Sequence, residues 1–328
     1  MKGLEESLKK DLHPLDVQVQ SGEKEVNVRI YDPSTNRHVG NARLIPEPDK
    51  NQLALESLRI EPEYQGLGIG KVVSRDVVDS AQKNGYDSVG LWAERDGSVF
   101  WPKAGFAPTD ETQRGKDMLG RADSDQTFMG WKDAHKSIEQ RLDWAAEDKT
   151  YPQADIDHVK SQLSSDDPKS LWALVDNKQS PEMTQEILQD SGGIKMNMKL
   201  DLHDPDQMQR FQGFTENAHV TSAQLEQQGI NEKAADSSRW LVNTFGDRQP
   251  DGSRVWEAGG YTFTNNKGDL QVADAEGKTI LQERDGKISG SVNPKDLEKF
   301  EAVQEKGKGL VSSQEVERQP EKAGALER

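Results

Sequence analysis

The sequence has no cysteine among its 328 residues. Disulfides, thiolate zinc sites and cysteine nucleophiles are excluded together. Aromatic residues are scarce at 6%, and hydrophobic residues make up 32% beside 30% charged. That balance points to much solvated surface and to segments outside any core. No run of about eighteen apolar residues occurs, and no charged-then-apolar segment opens the chain. Neither a membrane span nor a secretory signal is therefore expected, and a cytoplasmic location is. His13, His38, His135, His158, His203 and His219 are scattered without metal-ligand spacing, so no metal is expected. Positive charge is in deficit too. The net charge of −16 argues against binding nucleic acid, which needs a basic face.

The acidity is uneven. Residues 1–135 hold 18 Lys and Arg against 23 Asp and Glu, and the remainder holds 24 against 35. Such a surface favours solubility and cationic partners. The length suits two or three domains with real cores.

What is present is concentrated between Leu53 and Phe106. An alternating strand (Leu53, Leu55, then Leu58, Ile60) runs through Pro62 into Gln65-Gly66-Leu67-Gly68-Ile69-Gly70-Lys71. Val73, Val77 and Ala81 then recur at four-residue steps and predict a helix from Lys71 to Asn84, ended by Gly85. A glycine turn between a strand and a helix start leaves bare N–H groups free to face a phosphate, with the helix dipole behind them. A P-loop would need a glycine at Gln65 and a hydroxyl at Val72, and neither is there. A dinucleotide fingerprint needs G-x-G-x-x-G, whereas this is G-x-G-x-G.

The remaining pattern, Gln-x-x-Gly-x-Gly behind Leu58-Arg59-Ile60-Glu61-Pro62-Glu63-Tyr64, resembles motif A of the GNAT superfamily of acyl-CoA-dependent N-acyltransferases. Phe100-Trp101-Pro102-Lys103-Ala104-Gly105-Phe106 is similar to the end of that family's motif B. Strands at Glu25–Tyr31, His38–Leu44 and Asp87–Trp92, with a closing strand at Phe128–Trp131, complete the order over roughly residues 1–135. The resemblance implies an α/β (α+β) fold with a mixed central sheet. It also implies acetyl-CoA as co-substrate. Leu58 and Ile60 would offer strand backbone to the donor, and Gln65, Gly66, Leu67, Gly68, Ile69, Gly70 and Lys71 would cradle its pyrophosphate.

Acyl transfer to an amine requires a proton acceptor, a stabilised thioester oxygen and a protonated leaving thiolate. Glu56 is the candidate base, mid-strand on the side of Ala54 and Leu58, with a carboxylate that burial could render more basic. Glu61 and Glu63 are alternatives. Each has a plain competing reading as a solvated strand glutamate. Trp101 stands where the family usually has a tyrosine acid, and Glu94 where an asparagine is often found. An indole N–H is no acid at neutral pH. Trp101 therefore reads either as a departure that leaves the acid role to water or as packing.

Past residue 135 the pattern turns helical, with starts at Asp133, Pro152, Asp167-Pro168 and Ser180-Pro181. Ile194 to Leu202 alternates strictly and reads as one half-buried strand within a helical region, 136–250. Asp201, Asp204 and Asp206 with His203 suggest a cation site less well than helix capping. Turn clusters about every ten positions from Gly252 describe a β-meander with a closing helix over 251–311. The charged stretch 312–328 is expected to be disordered.

Two readings follow. One is an N-acetyltransferase acting by direct transfer on a protein or small-molecule amine. The other is a catalytically degenerate acyl-CoA-binding scaffold or effector, in which the C-terminal region meets a protein partner. Its ending faintly resembles modules appended to mobile-element proteins.

Overall fold

The computed structural model describes residues 3–114, 127–189 and 193–318. It divides into two compact units, Met1–Ile60 with Gly68–His219, and Glu61–Leu67 with Val220–Arg328.

In the first unit, α1 (Leu4–Asp11) buries Leu4 and Leu8, and Leu12 continues the same four-residue spacing. β1 (Asp16–Ser21), β2 (Val26–Asp32), β3 (Arg37–Glu47) and β4 (Gln52–Ile60) follow as an antiparallel meander. α2 (Ile69–Lys83) then crosses to β5 (Ser88–Ala93), which pairs parallel with β4. The buried stripe of α2 is Ile69, Val72, Val73, Val77 and Ala81, the helical repeat read from the sequence. After α3 (Gly97–Lys103) come β6 (Ala107–Pro108), β7 (Gln113–Arg114) and β8 (Thr127–Phe128). Four helices succeed them: α4 (Trp131–Glu147), α5 (Gln153–Gln162), α6 (Leu171–Val175) and α7 (Pro181–Gln189). The chain returns as β9 (Met196–Asp201) and ends the unit with α8 (Pro205–Thr215). Asp204 caps α8 through the amides of Asp206 and Gln207, as its Asp-Pro start signals.

The sheet order is β1-β2-β3-β4-β5-β9-β6, so β9 inserts antiparallel between β5 and β6. Here the structure departs from expectation. Phe128 belongs to a separate two-stranded ladder with Gln113–Arg114, and of the expected closing strand only Met129 bridges to Met196. The strand that covers the free edge of β5 comes instead from residues 196–201. The compact unit therefore runs to His219 and not to about 135. β9 is also buried on both faces, with Met196, Met198 and Leu200 fully enclosed and Asn197 nearly so.

The second unit has α9 (Ser222–Phe245), opened by a capping box between Thr221 and Gln224. β10 (Asp247–Arg248), β11 (Arg254–Ala258), β12 (Tyr261–Asn266), β13 (Asp269–Ala273), β14 (Thr279–Arg284) and β15 (Lys287–Gly290) then form a six-stranded antiparallel meander. α10 (Pro294–Arg318) closes it. This helix outruns the expected limit of 311 and takes in part of the stretch expected to be disordered. The rest of that stretch, 319–328, lies outside the described residues. The core joins Ala234, Leu241 and Val242 of α9 to Phe263, Val272 and Leu281 of the sheet and Phe300 of α10. Phe263 is central: it is 1% exposed, with Trp256 and Phe300 ring centroids each 5.2 Å away. Phe263→Ala is expected to destabilise this unit by about 3–5 kcal/mol, measured by urea unfolding.

Candidate active site

The register of β3 against β4 slips at one residue. Arg43 pairs with Ser57 and Leu44 with Leu55, which leaves Glu56 as an extra residue on β4. A bulge of this kind bends its strand and re-aims the bulged side chain. The consequence appears on the other edge of β4. Gln52 to Leu55 pair with Ser88 to Leu91 of β5, and the pairing stops there. From Trp92 onward β5 continues beside β9, while β4 continues beside β3 to Ile60. Among the described residues no strand stands opposite Glu56, Ser57 and Leu58 on the β5 side, and the sheet opens into a splay that begins at the bulge.

The first turn of α2 lies beside the end of β4. Gly68 takes φ of +84°, a conformation glycine adopts without strain, and a Cβ there would lie 3.3 Å from the His219 carbonyl oxygen. The first helical bond of α2 runs from Val72 N–H to Gly68 O at 3.1 Å. Among the described residues, the amides of Gly68, Ile69, Gly70 and Lys71 donate to no protein acceptor. They are the orphan donors of a helix start, oriented for an anion. A Cβ on Gly70 would come within 3.9 Å of Ile60 and Phe100, which places β4 and α3 on either side of this first turn. The Lys71 ammonium sits 4.1 Å over the Phe214 ring, and Phe214 packs edge-on to Phe100 at 5.1 Å. Gln65, Gly66 and Leu67 of the expected cradle group with the C-terminal unit, as do Glu61 and Glu63.

A cavity of about 470 Å³ opens against this part of the sheet, with Leu55 among its lining residues. Gln52, Ala54 and Glu56 of β4, Ser88, Gly90 and Trp92 of β5, and Asn197 and Lys199 of β9 line it. Leu58, expected on the Glu56 side, does not, because the bulge shifts the alternation by one residue. Glu56 Oε2 lies 2.6 Å from Arg43 Nη1, and its side chain keeps 23% exposure. Arg43 also grips Glu25, whose carboxyl is held below its usual range by hydrogen bonds from Asn27 and then Arg43. Glu56 is therefore a guanidinium-paired carboxylate at the cavity wall, not a desolvated one. At the far end Lys50 pairs with Glu47 at 3.3 Å, and Gln52 donates to Glu47 at 2.8 Å.

Trp101 is 7% exposed, on α3, with Phe100 and Phe106 rings at 4.8 and 5.0 Å. It packs in an aromatic cluster and does not line the cavity. Glu94, at the position of the usual asparagine, lies 3.7 Å from Lys195. The feature missed by sequence reasoning is the bulge. Its signal was present: apolar positions 53, 55, 58 and 60 change phase between 55 and 58.

Residues 10–106 match the acetyltransferase (GNAT) family. The match includes the bulged strand, the glycine turn and the aromatic helix, and it stops before β9. Solved structures are similar over about a third of the chain. Nourseothricin acetyltransferase shares 12% identity over 34% of this chain and 79% of its own, with a TM-score of 0.27. The ribosomal-protein-S18-alanine N-acetyltransferase of Escherichia coli shares 18% over 29% and 59%, with a TM-score of 0.25. A GNAT family acetyltransferase of Elizabethkingia anophelis, solved with acetyl-CoA bound, shares 14% over 34% and 87%, with a TM-score of 0.28. No curated protein matches the chain. Among the described residues, no helix is long and apolar enough to cross a membrane.

Proposed function

We propose that the chain is an N-acetyltransferase that moves an acetyl group from acetyl-CoA directly to an amine held in the Glu56 cavity. The observation that carries this reading is the coincidence at one place of three features. A bulge places Glu56 in the cavity wall, the same bulge opens the sheet, and a helix start with free amides stands at the opening. Gly68, Ile69, Gly70 and Lys71 fit a pyrophosphate, since among the described residues their N–H groups have no protein acceptor and Gly68 keeps a positive φ that a side chain would strain. The unpaired edge at Glu56 to Leu58 offers backbone groups to an extended chain of amides, as a neighbouring strand would. The bound donor supplies an activated thioester. The protein's own part is to orient that group, to exclude water and to take a proton from the amine through Glu56. The absence of cysteine agrees with direct transfer. The burial of Trp101 leaves the thiolate's proton to water.

Thermal shift with acetyl-CoA, followed by thiol release with a panel of amines, tests the reading. Gly68→Val is expected to abolish both signals, because a β-branched residue resists positive φ and its Cβ meets His219. Its urea midpoint gives the folding control. Unchanged acetyl-CoA binding in a folded Gly68→Val would remove the cradle from the argument. Binding without release in the unaltered chain favours the alternative, an acyl-CoA-binding scaffold.

A further inference from the structure

The charges around the cavity are not all matched. Glu56 is paired with Arg43, and Glu47 with Lys50. Lys199 is different. It is partly buried on β9 and lines the cavity, yet among the described residues no carboxylate lies within ion-pair distance of its ammonium. Asp110 and Glu111 stand exposed at the rim, where water screens them. A half-enclosed ammonium without a counter-ion is the costlier arrangement, and a ligand anion would relieve it.

The register places this cation relative to Glu56. Ala54 pairs with Gly90, and Gly90 with Lys199, so these three form one row across the sheet. Glu56 lies two residues further along β4, toward the splay. The two Cα positions are thus about 12 Å apart, from a strand rise of about 3.4 Å and a strand spacing of about 4.8 Å. Both residues line the same cavity, and the Glu56 carboxylate is held on its β3 side by Arg43. Over Gly90 the row is covered by the Gln52 side chain, which the missing Cβ accommodates. A Cβ at Gly90 would meet the Gln52 amide at 2.3 Å.

We propose that the acceptor is an amino carboxylate, its amine presented to Glu56 and its carboxylate bound by Lys199. The inference rests on the acyltransferase reading and narrows its acceptor to amines that carry a carboxylate a few bonds away. It disfavours diamines and polyamines, which the overall acidity alone would suggest.

Titration calorimetry on the full chain, with and without free CoA, tests it. The probes are the ω-amino acids from glycine to 5-aminopentanoate, each against its carboxamide, with 1,4-diaminobutane as a cationic control. At least one carboxylate member is expected to bind about tenfold or more tighter than its carboxamide, a difference of about 1.4 kcal/mol. Lys199→Met is expected to bring that member down to its carboxamide's affinity and to leave the carboxamide unchanged. No discrimination in either condition, tighter binding of the diamine, or equal loss for both members in Lys199→Met would overturn the proposal. Calorimetry needs no turnover, so a failure of thiol release bears on the acyltransferase reading and a failure of discrimination bears on this one.

Discussion

Asp76→Asn is expected to stabilise the chain by about 4 kcal/mol at pH 8 and to leave its stability near pH 4 unchanged. Asp76 sits on α2 with 1% exposure, and among the described residues neither carboxylate oxygen has a hydrogen-bond partner. Its neighbour Arg75 is turned elsewhere, to Asp11 and the Ala218 carbonyl at 2.9 Å each, and stands 3.6 Å from Asp76 Oδ1. Burial first, then the negative charge of Asp11, push the Asp76 carboxyl up to about 7, against the pull of Arg75. The sign follows from the proton count. Below the unfolded value of 3.8 both states hold the proton and the group is neutral in its effect. Between there and about 7 only the folded chain keeps it, so stability falls as pH rises and levels off above about 8. Three pH units at about 1.4 kcal/mol each set the size. Asparagine has the same shape and cannot ionise, so it removes this slope. Urea unfolding of both proteins at pH 4, 6 and 8 reads the difference directly, because every other carboxylate is common to the pair. A wild-type stability that does not fall from pH 5 to 8 relative to Asp76→Asn would show that this carboxyl ionises freely in the folded chain.

The parts of the fold legible in the sequence were those specified by local periodicity. The four-residue stripe of α2, the alternation of β4 and the turn-punctuated C-terminal meander all appear where the pattern puts them. Residues 194–202 show the limit of that logic. Their alternation announces a strand, but nothing in it names the edge the strand will join. The partner, β5, lies about a hundred residues upstream, and the pairing sets the buried Met196, Met198 and Leu200 opposite Ala93, Leu91 and Val89. Such long-range pairing is a property of the assembled core. β1 was missed although Val17 and Val19 alternate with polar neighbours. The short run is fixed as a strand by its pairing with β2. At the proposed site, the glycine spacing signalled the turn before α2, and Glu56 was visible as a carboxylate on β4. What makes Glu56 exceptional is the register slip opposite Arg43, which is a relation between two strands. Lys199 reached the same cavity only because β9 did.

Glu56→Gln is expected to lower kcat for amine acetylation by about a hundredfold or more while leaving acetyl-CoA affinity unchanged, since general base catalysis contributes on this scale. A hundredfold corresponds to about 2.7 kcal/mol of transition-state stabilisation. The amide keeps the shape of the carboxylate and its place at the bulge, so the loss would be chemical. Arg43 supplies the sharper test, because it touches Glu56 and does not line the cavity. As a positioning residue it holds the carboxylate against the strand wall, with Glu25 anchoring the other side of the guanidinium. Arg43→Met should therefore cost less, about tenfold in kcat. Combined with Glu56→Gln it should cost almost nothing further, as residues acting through one group are not additive. Additive losses would mean that Arg43 stabilises the strand pair independently of Glu56. Full turnover by Glu56→Gln would mean that water, not this carboxylate, receives the proton, and the bulge would then serve only to open the sheet for the donor.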